Sequence, residues 1–185
     1  MKKFTILAAV AVAAFSTPAF AQDDDTGDNG GFFVGATGGY DVINLELSTV
    51  DGIVDADDSG LFYGLTAGFD IDTGKAILGV EAEVTDTSIS DDVGDAGVDI
   101  YGGLRLGYEM DDNDIIYLKA GYTNVDIEDA ENLEGVRVGG GFEHNFGGFF
   151  GRLEYRYSNY NVSDVVDEDL NGNRHQIGVT VGAKF

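Results

Sequence analysis

Stretches that alternate apolar and polar residues recur along this chain, and the connections between them are by turns long and short. That rhythm constrains the fold more than any single stretch does. Eight segments carry the period-two pattern: Phe32 to Leu45, Leu61 to Ile71, Lys75 to Val84, Val98 to Met110, Ile115 to Asn124, Val136 to Glu143, Phe149 to Tyr157 and His175 to Phe185. Side chains with that period stand on opposite faces of a strand. The short connections, Asp72 to Gly74, Asp111 to Asp114 and His144 to Gly148, are rich in residues that accept turn geometry. The long ones are Glu46 to Gly60, Thr85 to Gly97, Val125 to Gly135 and Ser158 to Arg174. Strict alternation of this kind predicts an all-β, eight-stranded antiparallel up-and-down barrel with tight turns at one end and larger loops at the other.

The two faces of these segments predict what the barrel sits in. On one face aliphatic residues such as Val34, Leu65, Leu78, Leu104, Leu118, Leu153 and Val179 lie between aromatic ones. Phe32, Phe69, Tyr108, Phe142, Phe149 and Phe185 fall toward the turn end, and Tyr40, Tyr63, Tyr122 and Tyr157 toward the loop end. Two aromatic belts around an aliphatic band match the depth profile of a bilayer, so this face is assigned to lipid and the barrel is transmembrane.

The opposite face carries glycines, such as Gly35, Gly39, Gly68, Gly103, Gly139, Gly178 and Gly182, with charges of both signs among them. A barrel of eight strands has room inside only for its own side chains. Buried charge is tolerated when it is paired, so Glu81, Glu83, Arg105, Lys119, Arg137, Arg152, Glu154 and Arg156 are expected to form an interior charge network, with Glu109, Glu143 and Lys184 beside them, and to fill the lumen. All basic residues beyond the leader except Lys75 and Arg174 face inward on this assignment.

The leader is Met1 to Ala21: Lys2 and Lys3, an apolar run from Ile6 to Phe15, then Ala19-Phe20-Ala21, the layout of a secretory signal peptide cut after Ala21. Residues 22–30, QDDDTGDNG, read as an acidic flexible tail, and 31–185 as the barrel domain. Without Lys2 and Lys3 the chain holds eight basic residues against 34 acidic ones, a net charge of −26. Nucleic acid is excluded as a partner because phosphate binding needs clustered Lys and Arg. The absence of cysteine is compatible with a closed barrel, whose hydrogen-bonded ladder needs no covalent staples.

The last segment, RHQIGVTVGAKF, ends on Phe185 with apolar residues at every second position before it. It resembles the closing strand of Gram-negative outer-membrane β-barrels, which the barrel assembly machinery of that membrane recognises. Together with the strand count and the run Leu153-Glu154-Tyr155-Arg156-Tyr157, it makes residues 31–185 similar to the family that includes OmpA-type barrels, OmpX and the opacity-type surface proteins. Ala183 and Thr180 stand where that family usually has an aromatic residue and a glycine. The resemblance implies the cell outer membrane as location, Phe185 as an assembly signal, outer-membrane lipid, lipopolysaccharide and the assembly machinery as partners, a monomer, and a structural or surface-interaction role. It implies no shared reaction.

Other chemistry was weighed against plainer readings. Asp167-Glu168-Asp169-Leu170-Asn171-Gly172 follows the opening of a calcium loop, with Asp167, Asp169 and Asn171 as ligands, but Gly178 holds the place of the closing bidentate Glu. A fainter echo runs from Asp55 to Gly60. Solvated acidic loops are the favoured reading, and no other cofactor is expected. An enzyme acting on lipid A would want a His with a Ser and a carboxylate on the lipid face; His175 has that face without the serine, and His144 lies in a turn. A small ion-conducting porin and a soluble lipocalin-like binder complete the alternatives.

Overall fold

A barrel wall closes only if the first and last strands pair, and the computed structural model shows that they do. It describes residues 29–49, 52–87, 90–91, 94–127, 133–161 and 170–185. Among them every regular element is a strand: β1 (Gly31–Thr49), β2 (Gly52–Asp72), β3 (Ala76–Thr87), the two-residue β4 (Ser90–Asp91), β5 (Gly94–Glu109), β6 (Asp114–Ile127), β7 (Leu133–Asn145), β8 (Phe149–Asn161) and β9 (Leu170–Lys184). Leaving aside β4, which pairs only with the start of β5, each strand pairs antiparallel with its neighbours. β9 closes on β1 from Phe33↔Lys184 to Leu47↔Leu170. At the bottom of that seam the Phe32 N–H donates to the Phe185 carbonyl at 3.0 Å and the Phe185 N–H returns the bond at 2.8 Å. The result is a closed eight-stranded antiparallel barrel, which leaves no backbone group of its wall to be satisfied by lipid.

The pleat is oriented as the alternation predicts. Leu78, Leu104 and Val179 are 51 %, 69 % and 53 % exposed, while Glu81, Arg105 and Arg152 are 4 %, 2 % and 3 % exposed. A charged residue on the lipid face costs about 2–4 kcal/mol at the midplane, so the inverse arrangement would not remain in a bilayer. β1 travels from Phe32 to Tyr40 between the two aromatic belts, close to the 9–11 residues that a tilted spanning strand requires.

The turn end is fixed by local chemistry. Gly74 has φ 103° and its N–H donates to Asp72 Oδ1 at 2.6 Å, a conformation that a Cβ would oppose. In the next turn Asp111 Oδ1 accepts the N–H groups of Asn113 and Asp114, each at 3.0 Å. The Asn113 N–H, with that of Asp114, holds this carboxyl below the usual carboxylate range.

The loop end departs from the sequence-based expectation. Most of 46–60, expected as loop, is a strand hairpin, paired from Glu46↔Asp55 to Thr49↔Gly52. β5 already begins at Gly94, β7 at Leu133 and β9 at Leu170, inside the other three expected loops. The reason is physical: beyond the bilayer both faces of a strand meet water, so apolar alternation disappears while the backbone ladder continues.

Candidate functional site

Small residues inside the barrel do more than leave space for charges. Each large inward aromatic ring is seated on glycine. An added Cβ would meet the Phe62 ring at 2.8 Å from Gly39 and at 2.6 Å from Gly178, and the Tyr117 ring and hydroxyl from 2.9 Å at Gly141. Phe33 covers Gly68, Phe150 covers Gly182 and Tyr101 covers Gly103 in the same way. The rings in turn carry cations on their faces: Arg152 lies 4.3 Å from the Phe33 centroid and 4.6 Å from that of Phe150, Arg105 4.3 Å from Tyr117, Arg156 4.6 Å from Phe62 and Lys119 4.9 Å from Tyr101. Glycine seats the ring, the ring seats the cation, and a desolvated cation on an aromatic face gains about 2 kcal/mol. Sequence reasoning assigned aromatics to the lipid face and missed these five rings. The parity that Phe33, Phe62, Tyr101 and Tyr117 share with Gly35, Gly64, Gly103 and Gly121 on the same strands, and Phe150 with Arg152, was the available signal.

The cations and carboxylates form one ladder of alternating sign along the barrel axis. At the turn end Lys184 Nζ lies 3.0 Å from Glu143 and 3.4 Å from Asp70. Arg105 binds Asp70 at 2.5 Å and Glu143 at 2.7 Å. Arg152 links Glu143, at 2.5 Å, to Glu81, at 2.8 Å, and Lys119 links Glu81, at 2.7 Å, to Glu154, at 2.8 Å. Arg156 joins Glu154, at 3.3 Å, to Glu83, and Arg137 joins Glu83, at 3.5 Å, to Asp99. Arg174 completes the run, with Nη1 2.8 Å from Asp99 and Nε 2.9 Å from Asp41. All eight residues of the expected network thus stand in one connected chain.

Arg174 corrects the expectation that it lies outside. It is 4 % exposed and points into the lumen, because β9 begins five residues earlier than the alternation does and Arg174 keeps the inward parity of Gln176 and Gly178. Asp41, Asp70 and Asp99, buried with it, were also missed. Seven cations (Lys184, Arg105, Arg152, Lys119, Arg156, Arg137, Arg174) meet seven carboxylates (Glu143, Asp70, Glu81, Glu154, Glu83, Asp99, Asp41) in these contacts. The ladder is neutral, so the negative charge of the chain resides in the remaining residues, and Lys75 is the one basic residue after Lys3 that is not part of it.

The turn end is closed by Asn29. Its backbone N–H donates to Asp72 at 3.1 Å, its side chain to Glu109 at 2.5 Å and to the Asp112 carbonyl at 3.3 Å, and its own carbonyl accepts from Lys184 at 2.9 Å. Asn145 donates to its side-chain oxygen. Asn29, two residues before β1, therefore ties the ends of β2, β5, β7 and β9 together.

The histidines lie apart from the ladder. His144 Nδ1 is 2.5 Å from Asp114 Oδ1 and its ring meets Phe146 edge-on at 4.5 Å. His175, on the outer face, shares a hydrogen bond of 2.8 Å with the Tyr155 hydroxyl. Ala21, Asp167 and Asp169 lie outside the described residues, as does the side chain of Asn171.

An apolar band between aromatic belts outside, and a polar lumen packed with side chains inside, define a transmembrane β-barrel of the outer-membrane kind. Residues 7–185 match the outer membrane protein beta-barrel domain family, and the chain belongs to that family. It is a protein of the outer membrane. Among solved structures it is similar to Neisserial surface protein A, with 19 % identity over 83 % of this chain and 97 % of that one and a TM-score of 0.49. It is also similar to OprG from Pseudomonas aeruginosa, with 14 % identity over 87 % and 100 % of the two chains and a TM-score of 0.46. The attachment invasion locus protein Ail of Yersinia pestis has 14 % identity, 81 % and 97 % coverage and a TM-score of 0.41. No curated protein matches the sequence.

Proposed function

We propose that the protein is a non-conducting outer-membrane scaffold that presents acidic hairpins at the cell surface for interaction, with lipopolysaccharide around it and Phe185 read by the barrel assembly machinery on insertion. The observation that carries this reading is the unbroken ladder from Lys184 to Asp41. A permeating ion would have to displace carboxylates and guanidiniums whose charges already satisfy one another, and the stacked rings of Phe33, Phe62, Tyr101 and Tyr117 occupy the space beside them. With the lumen filled, what varies without cost to the wall is the extramembrane part, where surface barrels place their interactions.

The test is electrical. Refolded protein inserted into a planar bilayer should give no discrete conductance steps at voltages the membrane tolerates, while remaining folded by its faster migration when unheated in detergent. Reproducible single-channel steps from the folded form would assign it instead to the small ion-conducting porins. Replacing the tips of all four long connections, between β1 and β2, between β3 and β5, between β6 and β7 and between β8 and β9, should leave insertion unchanged and remove any surface-binding phenotype.

A further inference from the structure

The outward face of β8 and β9 carries a polar cluster at the loop-end belt that neither the wall nor the ladder uses. Tyr157 and His175 are directly opposed across the two strands, with ring centroids 5.0 Å apart. Below them the Tyr155 hydroxyl reaches His175 Nδ1 at 2.8 Å. Above them Asn173 Oδ1 accepts twice, from the Tyr157 hydroxyl at 2.6 Å and from Asn159 Nδ2 at 2.9 Å. These bonds decide what is left over. With its oxygen doubly engaged, Asn173 turns its NH2 group away from the cluster. With Nδ1 shared, His175 keeps Nε2 on the opposite edge of its ring. Neither group has a partner among the described residues.

Charge around the same belt is uneven. The Tyr63 hydroxyl, between β2 and β3, binds the Asp86 carboxylate at 3.3 Å, and the Tyr122 hydroxyl, between β6 and β7, binds Glu134. An anion approaching at those points meets a carboxylate. At β8 and β9 it meets the Asn173 amide N–H groups and, with the Tyr155 hydroxyl donating to Nδ1, the Nε2–H of His175, and the cluster itself contains no carboxylate. The height is that of lipid headgroups, because Ile177, Val179 and Leu153 immediately below are exposed and apolar.

We propose that Asn173 and His175, held in place by Tyr155, Tyr157 and Asn159, form a site for the phosphate of a membrane-lipid headgroup in the outer leaflet. The donors are aimed where hydrocarbon gives way to headgroups, and the lipid acyl chains would continue down over Ile177, Val179 and Leu153. This site is independent of whether the lumen conducts.

The experiment is a titration of the refolded, isotope-labelled barrel in detergent micelles with diphosphoryl lipid A, following the Asn173 side-chain NH2 and the His175 ring signals. Saturable shifts are expected, and the double substitution Asn173→Leu with His175→Phe should weaken the apparent affinity about tenfold or more, since a hydrogen bond to a charged group is worth about 1.5–3 kcal/mol. Neither residue belongs to the ladder, so the double variant should still migrate as a folded barrel. Two further arms use only the wild-type protein, so the idea stays testable even if the variant misfolds: dephosphorylated lipid A and inorganic phosphate at the same concentrations should both leave the signals in place. The proposal is overturned by the absence of a saturable shift, by equal shifts from dephosphorylated lipid A or inorganic phosphate, or by a folded double variant that binds as tightly as the wild type.

Discussion

Replacing Arg174 by leucine is expected to destabilise the folded barrel by about 3–5 kcal/mol, the cost of stranding a buried charge by removing its partner. Asp41 is fully buried. Its carboxylate takes two bonds of 2.9 Å from Arg174 Nε, a further one from Nη2, and a neutral bond of 3.2 Å from Gln176. Among the described residues Arg174 is its one cationic partner. Asp99, the other carboxylate on Arg174, keeps Arg137 and a 2.5 Å bond from Thr123, so the damage is concentrated on Asp41.

Two controls follow from the same contacts. Adding Asp41→Asn to Arg174→Leu should recover most of the loss, because no uncompensated charge then remains inside. Arg137→Leu should cost less than Arg174→Leu, since Asp99 retains Arg174 and Glu83 retains Arg156. The measurement is the urea midpoint of the fraction that runs as folded protein without heating. A change within about 0.5 kcal/mol, typical of a surface substitution, would place Arg174 outside the lumen and remove the outer end of the ladder.

Arg174 also shows where the sequence could be read and where it could not. Strand count, closure and the lipid-facing side were legible because a bilayer imposes its polarity on every second residue between the belts, from Phe32 to Tyr40 or from Phe149 to Tyr157. Above Tyr157 and Ile177 that pressure ends: Asn159, Asn173 and Gly172 carry no apolar period, so β8 and β9 run on without announcing themselves and Arg174 looks like loop. Parity would have placed it, since it lies two residues from the inward Gln176. The inward rings were hidden for another reason. Phe33 follows Phe32 and Phe150 follows Phe149, so hydrophobicity alone cannot say which of each pair faces lipid. Only the pairing of the strands brings Phe33 and Phe150 together, edge to face at 5.9 Å.

Gly39 and Gly178, opposite each other across the seam between β1 and β9, should respond differently to the same added methyl group. At Gly178 the obstacle is a side chain: a Cβ would sit 2.6 Å from Phe62 Cζ, with the nearest backbone atom, the Gly38 carbonyl oxygen, at 3.4 Å. At Gly39 the obstacle is the partner strand itself, because a Cβ would run into the Ile177 carbonyl oxygen and stand 2.6 Å from Gly178 Cα. Overpacking of this kind costs about 1–3 kcal/mol. In an otherwise wild-type barrel, both Gly178→Ala and Gly39→Ala should therefore lower stability by about that amount. In a Phe62→Ala background, itself destabilised by about 3–5 kcal/mol, Gly178→Ala should cost almost nothing, giving a coupling energy of about 1–3 kcal/mol between the two positions. Gly39→Ala should keep most of its cost, since removing the ring does not move the backbone of β9. Equal coupling of Phe62 to both glycines would mean that the ring, and not the approach of the two strands, is what requires glycine at position 39.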